Sequence, residues 1–412
     1  MKELCFSRAD ILLPDFDQVD GTRWSCIACD QFTSEAAYWA ETERTVGDAP
    51  SALRIILPEL YLGKEDEKRI EAIHAAMVAY KKDVLTLHKD AMIYLRRTCP
   101  SGAVREGLVG KIDLEEYDYN RGSTSAVRAT EGTVLSRIPP RVAVRRGASI
   151  EAPHVMLLID DGADTVFSVA REAEGAVAYD FPLMQGGGHV KGVFLPEAAQ
   201  KDICAALSAL TGGREGALHF AVGDGNHSLA SAKAYYEEIK ATIGAEAAKD
   251  HPARYALCEV VNIHSEAIVF EPIYRVLFGA DRADLLRAMR AFADAQTAGE
   301  AQTVTVVYEN NGICKEKFTF AHGYHTLTVG TLQAFLDGYL AAHPEIEIDY
   351  IHGEESLLAL SAREGAVGFL FEGMKKSELF SAVEKDGALP RKTFSMGTAY
   401  EKRYYLECRS IL

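Results

Sequence analysis

Leu218-His219-Phe220-Ala221-Val222-Gly223-Asp224-Gly225-Asn226-His227-Ser228-Leu229-Ala230 is the stretch from which the rest of the chain is read. Its apolar run, Leu218 to Val222, ends in a turn sequence, and a helical pattern follows at once. Leu229, Ala232, Tyr236 and Ile239 recur at helical spacing, with Lys233, Glu237, Glu238 and Lys240 between them. The spacing predicts strand, tight turn and helix, with Asp224, Asn226, His227 and Ser228 gathered at the helix N-terminus. Such an end carries unpaired backbone N–H groups and the positive pole of the helix dipole, so it favours anions, phosphate included. A carboxylate, an amide, an imidazole and a hydroxyl within five residues add proton-transfer capacity. The same residues also suit plain capping, with Asn226 or Ser228 closing the helix and Asp-Gly making an ordinary turn. His227 favours function, because a cap needs no imidazole.

Outward from this stretch, 412 residues suffice for two or three domains at about 150 residues each. An apolar content of 48% with 25% charged residues is that of a globular protein. The net charge of −16 argues against a nucleic-acid surface, which needs clustered lysine and arginine. No apolar run reaches the ~20 residues of a membrane span, and Met1-Lys2-Glu3-Leu4-Cys5 opens no long apolar region, so a cytoplasmic protein is expected. The eight cysteines are expected to be reduced thiols. Cys26-Ile27-Ala28-Cys29 has metal or redox spacing but no second pair to complete a zinc site, so no metal site is assigned.

Along the chain, helices are expected at Phe32 to Arg44 and Lys64 to Leu85, with a buried strand from Leu53 to Pro58 between them. Met92 to Leu95 and Gly107 to Ile112 read as strands, and Val155 to Ile159 as one arm of a hairpin answered by Thr165 to Val169. Asp160, Asp161 and Asp164 lack the terminal Glu of a calcium loop, and Gln185 to Gly192 lacks the Gly-Lys-Ser/Thr ending of a P-loop. Arg121, Arg128, Arg137, Arg141, Arg145 and Arg146 fall within 26 residues, a basic segment in an acidic chain. Arginine suits bidentate recognition of phosphate or carboxylate; a solvated loop and helix with glutamate partners fits equally. Buried strands are expected at Tyr255 to Ile263 and Ala267 to Phe270, and a closing strand at Tyr404 to Leu406. The pattern divides the chain into a main α/β domain (1–279), a smaller α+β subdomain (280–384) and a C-terminal segment (385–412) returning to the main domain. The fold class is α+β, or mixed α/β.

These residues together resemble, nearly end to end, the prokaryotic family called domain of unknown function 1015. Asp224-Gly225-Asn226-His227-Ser228 stands where many members read Asp-Gly-His-His-Arg. Ile27-Ala28-Cys29-Asp30 is similar to Ile-Ala-Pro-Pro-Tyr-Asp, and Arg54 to Pro58 to an Arg-Leu-Leu-Pro strand. Glu271-Pro272-Ile273-Tyr274-Arg275 resembles Pro-Thr-His-Arg, and Leu389-Pro390-Arg391-Lys392-Thr393 resembles Met-Pro-Gln-Lys-Ser. The turn also resembles the helix-terminal phosphate site of the ParB/sulfiredoxin-like fold, which houses nucleotide-dependent free-serine kinases. That resemblance implies a ParB/sulfiredoxin-like core. Ser228 replaces the family's arginine, so the charge for a phosphate is expected from Arg128, Arg275 or Lys392.

The expected function is phosphoryl transfer from a nucleotide to a small hydroxylated metabolite of the serine or phosphoserine type. Gly225, Asn226 and Ser228 would hold the phosphate, Asp224 or His227 would move the proton, and Mg²⁺ on Asp224 is a further expectation. Two alternatives stay open: a non-catalytic nucleotide- or phospho-metabolite-binding regulator, and a scaffold in which His227 is a core or cap residue. The partner is expected to be a small phosphorylated ligand, with neither nucleic acid nor membrane; the oligomeric state stays open.

Overall fold

Alternation of side chains along the strands builds a sheet that is buried on both faces. Ile93, Leu95 and Val109 enter one apolar cluster, whereas Tyr94 and Leu108 enter another, as the two-residue period of a strand requires. In the computed structural model, residues 4–63, 66–120 and 122–412 are described; Lys64 and Arg121 lie outside them. The chain forms two compact units, one of residues 1–129, 133–268 and 397–412, the other of residues 130–132 and 269–396. It is a mixed α/β protein.

The larger unit holds a ten-stranded sheet. Its main path runs Val177–Pro182, His189–Phe194, Ile93–Thr98, Val104–Asp113, Tyr255–Asn262, Met156–Ile159, Phe220–Asp224, Val127–Ala129 and Tyr117–Asp118; Phe6–Ser7 pairs with Val104–Asp113. Phe220–Asp224 lies antiparallel to Met156–Ile159 and parallel to Val127–Ala129, which makes the sheet mixed. The helix Asn226–Ile243 follows directly. It buries Leu229, Ala232 and Tyr236 in one cluster, and Ala230 and Tyr235 in the other.

The smaller unit has an antiparallel sheet in the order Ile313–Phe320, Gln302–Glu309, Ala366–Phe371, Phe270–Phe278 and Glu347–His352, with Phe394–Met396 pairing to residues 270–272. Its helices are Arg282–Asp294, Thr328–Ala342, Glu354–Ser361 and Leu379–Asp386. The unit begins at Val269 rather than 280 and ends at Met396 rather than 384, because Phe270–Phe278 pairs with strands of this unit. It also takes in Thr130–Gly132, through backbone bonds between Leu389 and Thr130 and between Gly132 and Leu389.

Four local expectations are corrected. Leu53 to Pro58 is buried but makes no strand: Ser51 Oγ accepts from Leu53 N–H and starts a 3₁₀ turn at Ala52–Arg54. Thr165–Glu172 is a helix rather than a hairpin arm, because the Asp161 carboxylate accepts from the Val166 N–H and the Thr165 hydroxyl. The strand expected at Ala267 starts at Phe270 and runs on through Arg275. Tyr404 to Leu406 makes one isolated bridge, Tyr404 to Ile27, rather than a strand.

Candidate functional site

The turn after Phe220–Asp224 is made by Gly225, whose φ of 77° is a left-handed conformation. A Cβ there would meet the Val155 Cα at 3.0 Å, so backbone conformation and space both call for glycine. Gly225 occupies the N-cap and, having no side chain, makes no capping hydrogen bond of its own. The Asp224 carboxylate instead accepts the Gly225 N–H through Oδ1, at 2.9 Å. Asp224 Oδ2 and Asn226 Oδ1 are buried and take no hydrogen bond. The arrangement is a helix N-terminus that starts at a glycine and has two unbonded buried oxygens beside it.

The cation at this turn is Lys402, whose Nζ lies 3.4 Å from Asp224 Oδ2. It arrives on the returning C-terminal segment, which buried arginines hold in place. Arg97 donates to the carbonyls of Gly187, Tyr400, Glu401 and Lys402, and Arg105 donates to the Glu401 carbonyl at 2.7 Å. Arg403 donates to Glu259 at 2.7 Å, to Glu407 at 2.6 Å and to the Pro153 carbonyl at 2.7 Å. Burial pushes the Glu259 carboxyl up, but the charges of Arg105 and Arg403 outweigh it and hold the group below the usual carboxylate range.

The same segment pairs with residues 26–28: Ala28 N–H donates to the Arg403 carbonyl and Tyr405 N–H to the Cys26 carbonyl. That pairing sets Tyr405 beside Cys29 and Asp30. The Tyr405 hydroxyl accepts the Cys29 N–H at 3.2 Å and shares a hydrogen bond of 2.8 Å with His154 Nδ1, while His154 Nε2 lies 3.8 Å from Asp30. Burial pushes the Asp30 carboxyl up, and His154, the Gln31 amide and Lys402 together bring it below its usual value. Lys402 thus acts on two carboxylates, Asp30 and Asp224. Burial raises the Cys26 thiol and pushes Cys29 up to about 12, so both are poor thiolates.

His227 Nε2 accepts the Val134 N–H at 3.2 Å. A ring nitrogen that accepts is unprotonated, so in the neutral ring the proton sits on Nδ1. Beside the first helical turns lies a cleft of about 140 Å³, with Ser228, Ser231, Cys29, His154 and Tyr405 among its lining residues.

Part of the arginine segment does lie along this helix, but the charges of Arg128, Arg141, Arg145 and Arg146 are committed elsewhere. Helix Ile138–Arg145 packs against Asn226–Ile243. Arg141 pairs with Glu59, Arg145 with Glu151 and Arg146 with Glu238. Arg128 is buried and donates to the carbonyls of Ser125 and Gly216. Gly216 precedes the strand whose far end is the turn, so the expected clamp by Arg128 at Asp224 is corrected. Arg275 belongs to the smaller unit, fully buried, and donates to Gln333 and to the carbonyls of Ile273, Lys392 and Arg391. With four of its five N–H groups spent, Arg275 ties the chain together and is no phosphate clamp. Lys392, in the same unit, has a φ of 59°, and its backbone N–H is accepted by the Glu131 carboxylate, which burial raises above its usual value.

Magnesium takes hard oxygen donors and keeps several waters. Asp224 offers an unbonded oxygen, yet Lys402 already faces it, and among the described residues no three His, Cys, Asp or Glu side chains converge. These residues do not fit a metal held by the protein itself. Among the described residues, no helix is long and apolar enough to cross a membrane.

A family model described as "Protein of unknown function (DUF1015)" matches residues 14–339. The chain belongs to this family. No curated protein matches it. A solved free serine kinase in complex with AMP is similar at 11% identity, over 72% of this chain and 90% of that one, with a TM-score of 0.39. A conserved hypothetical protein from Pyrococcus furiosus is similar at 12% identity, over 70% of this chain and 89% of that one, with a TM-score of 0.35. SbnI with C-terminal truncation, from Staphylococcus aureus, is similar at 10% identity over 70% and 82%, with a TM-score of 0.36. Likeness at this level carries no functional argument. In this member of the family the Asp-Gly-x-His turn is served by Lys402, for which no sequence pattern gave a signal. Asp30 ends one of the family-like stretches, whereas His154 and Tyr405 stand alone in the sequence.

Proposed function

We propose that the Asp224–Ser228 turn seats a phosphoryl group, and that the protein transfers it between a nucleotide and the hydroxyl of a small metabolite, with serine or phosphoserine as the compact type. One observation carries the reading: a helix N-terminus whose N-cap is a glycine with no capping side chain, with Lys402 beside it. Backbone N–H groups after Gly225 hold the phosphoryl oxygens, and Lys402 offsets the charge that grows in the transition state. Asp224, whose Oδ2 takes no hydrogen bond, moves the hydroxyl proton, or His227 does so once its Nε2 gives up the Val134 N–H. The sequence likeness of the turn to the phosphate site of ParB/sulfiredoxin-like folds supports the same seat and a core of that type.

A regulator that binds a nucleotide or phospho-metabolite without consuming it is the second reading. It is favoured by the pairing of Arg141, Arg145 and Arg146 with glutamates, which keeps them from a transferring phosphoryl group. Phosphorus NMR of the protein with ATP or ADP and a series of hydroxy amino acids separates the two. Transfer in the wild type, falling about 10²–10⁴-fold in His227→Ala while nucleotide still binds, supports catalysis. Binding with no turnover on any acceptor moves the assignment to the regulator. Absence of phosphate and nucleotide binding by calorimetry removes both.

A further inference from the structure

We infer that the cleft beside the turn receives the apolar body of the ligand, so that the metabolite is a hydroxylated or phosphorylated molecule with a branched aliphatic chain or a single ring. The inference rests on the reading of the turn as an anion seat. Ser228 joins the two: it stands in the first turn of the helix and also lines the cleft. Much of the remaining wall is aliphatic, from Ile55, Leu57, Leu62, Met77, Val144 and Ile150.

The charged residues of the lining do not alter that character. Glu59 and Arg141 pair with each other, as do Arg145 and Glu151. A ligand entering the cleft therefore meets mostly methyl and methylene groups and ion pairs that already have partners, with Ser228, Ser231, Cys29, His154 and Tyr405 as the remaining polar lining. A space of about 140 Å³ is close to the ~150 Å³ of a protein cavity that holds benzene. Five or six carbons fill it. Serine's short hydroxymethyl side chain would leave the aliphatic wall uncovered, and covering apolar area is the main source of affinity in such pockets.

The wall is continuous with the larger unit's apolar core, to which Ile55, Ile56, Leu57 and Met77 belong. Leu53 to Leu57 form no strand, yet Ile55, Ile56 and Leu57 are buried and all three line the cleft. Helix Asp66–Asp83, which follows soon after in the chain, contributes Met77, and Met adapts to irregular apolar ligands.

Isothermal titration calorimetry on the full chain with inorganic phosphate, 3-methylbutyl phosphate and 3-methylbutanol tests this. About fourfold in affinity per buried methylene makes 3-methylbutyl phosphate roughly 10- to 100-fold tighter than phosphate with two or three carbons buried, and up to about 10³-fold with all five. Val144→Phe, or Met77→Trp if that variant folds better, fills the cleft; it should abolish the gain and leave phosphate affinity unchanged. Equal affinity of the two phosphates in the wild type overturns the inference while the anion seat stands. Binding of the alcohol without phosphate overturns the anion seat and, with it, the joint ligand, leaving only an apolar cavity. No binding of any probe overturns both, and a gain that survives in a folded filled variant shows that the chain binds elsewhere.

Discussion

Replacing Lys402 by alanine removes the cation from the Asp224 turn and leaves the glycine and the helix end in place. At 3.4 Å and an effective dielectric of about 20, the gross attraction between Lys402 and Asp224 is about 5 kcal/mol. The side chains are 17% and 13% exposed, so desolvation and side-chain ordering cancel much of it, and a net stability loss of about 1–2 kcal/mol is expected. The effect on a bound anion is larger, because the Asp224 carboxylate would then face it without a counter-charge. Losing a charge-assisted contact costs about 1.5–3 kcal/mol, which is roughly 10- to 150-fold in the phosphate dissociation constant. Calorimetric titration with phosphate and with ADP, at fixed ionic strength near 0.1 M where screening acts over about 10 Å, reads this directly. Lys402→Arg keeps the charge and should restore most of the affinity. A Lys402→Ala protein that melts close to wild type and binds phosphate within twofold of it refutes the assignment of Lys402 to the seat.

Glu259→Gln leaves Arg403 and Arg105 buried without their shared counter-charge and should cost about 3–5 kcal/mol, read by denaturant melts. It should also loosen residues 401–402 and so weaken phosphate binding; a melt unchanged within error would show that the network is not what holds that segment. Because the folded carboxyls of Glu259 and Glu151 lie below their usual value, their stabilisation is complete above about pH 4.3 and is lost as pH falls through the lower folded values. The wild-type melting temperature should therefore fall below about pH 4, and Glu259→Gln should show a lower but flatter acid limb. Arg128→Ala loses its bonds to Ser125 and Gly216 and should destabilise by about 1–3 kcal/mol while phosphate affinity stays put. A selective loss of phosphate affinity at unchanged stability would return Arg128 to the site. Gly225→Ala forces a left-handed alanine against Val155 and should cost about 1–3 kcal/mol together with anion binding, whereas an alanine variant that melts and binds like wild type would mean the turn is not strained.

The strand, the turn and the helix at 218–240 were legible in the sequence because each is a local matter. A run of apolar residues, a glycine that tolerates positive φ and a 3.6-residue apolar period need no distant partner to be recognised. The mixed α/β class and the family follow from the same kind of local signal, summed along the chain. Leu53–Pro58 and Thr165–Val169 misled because apolar composition does not separate a strand from a buried turn or a short helix; one serine and one aspartate side chain, bonding to the backbone nearby, made the difference.

The partners of the turn were decided only by tertiary structure. Arginine content in one segment says nothing of which carbonyl or carboxylate each guanidinium will find, and Arg128, Arg141, Arg145 and Arg146 all found structural ones. Lys402 lies 178 residues from Asp224, in a stretch with no periodicity or motif. It reaches the turn because Arg97 and Arg105 hold the carbonyls around it and Arg403 is locked between two buried glutamates. His154 and Tyr405 come together through the pairing of residues 26–28 with 403–405. Charges buried at such long sequence separation leave no periodic trace, since their spacing is set by where the sheet carries each strand; the helix end announces itself locally, and what serves it does not.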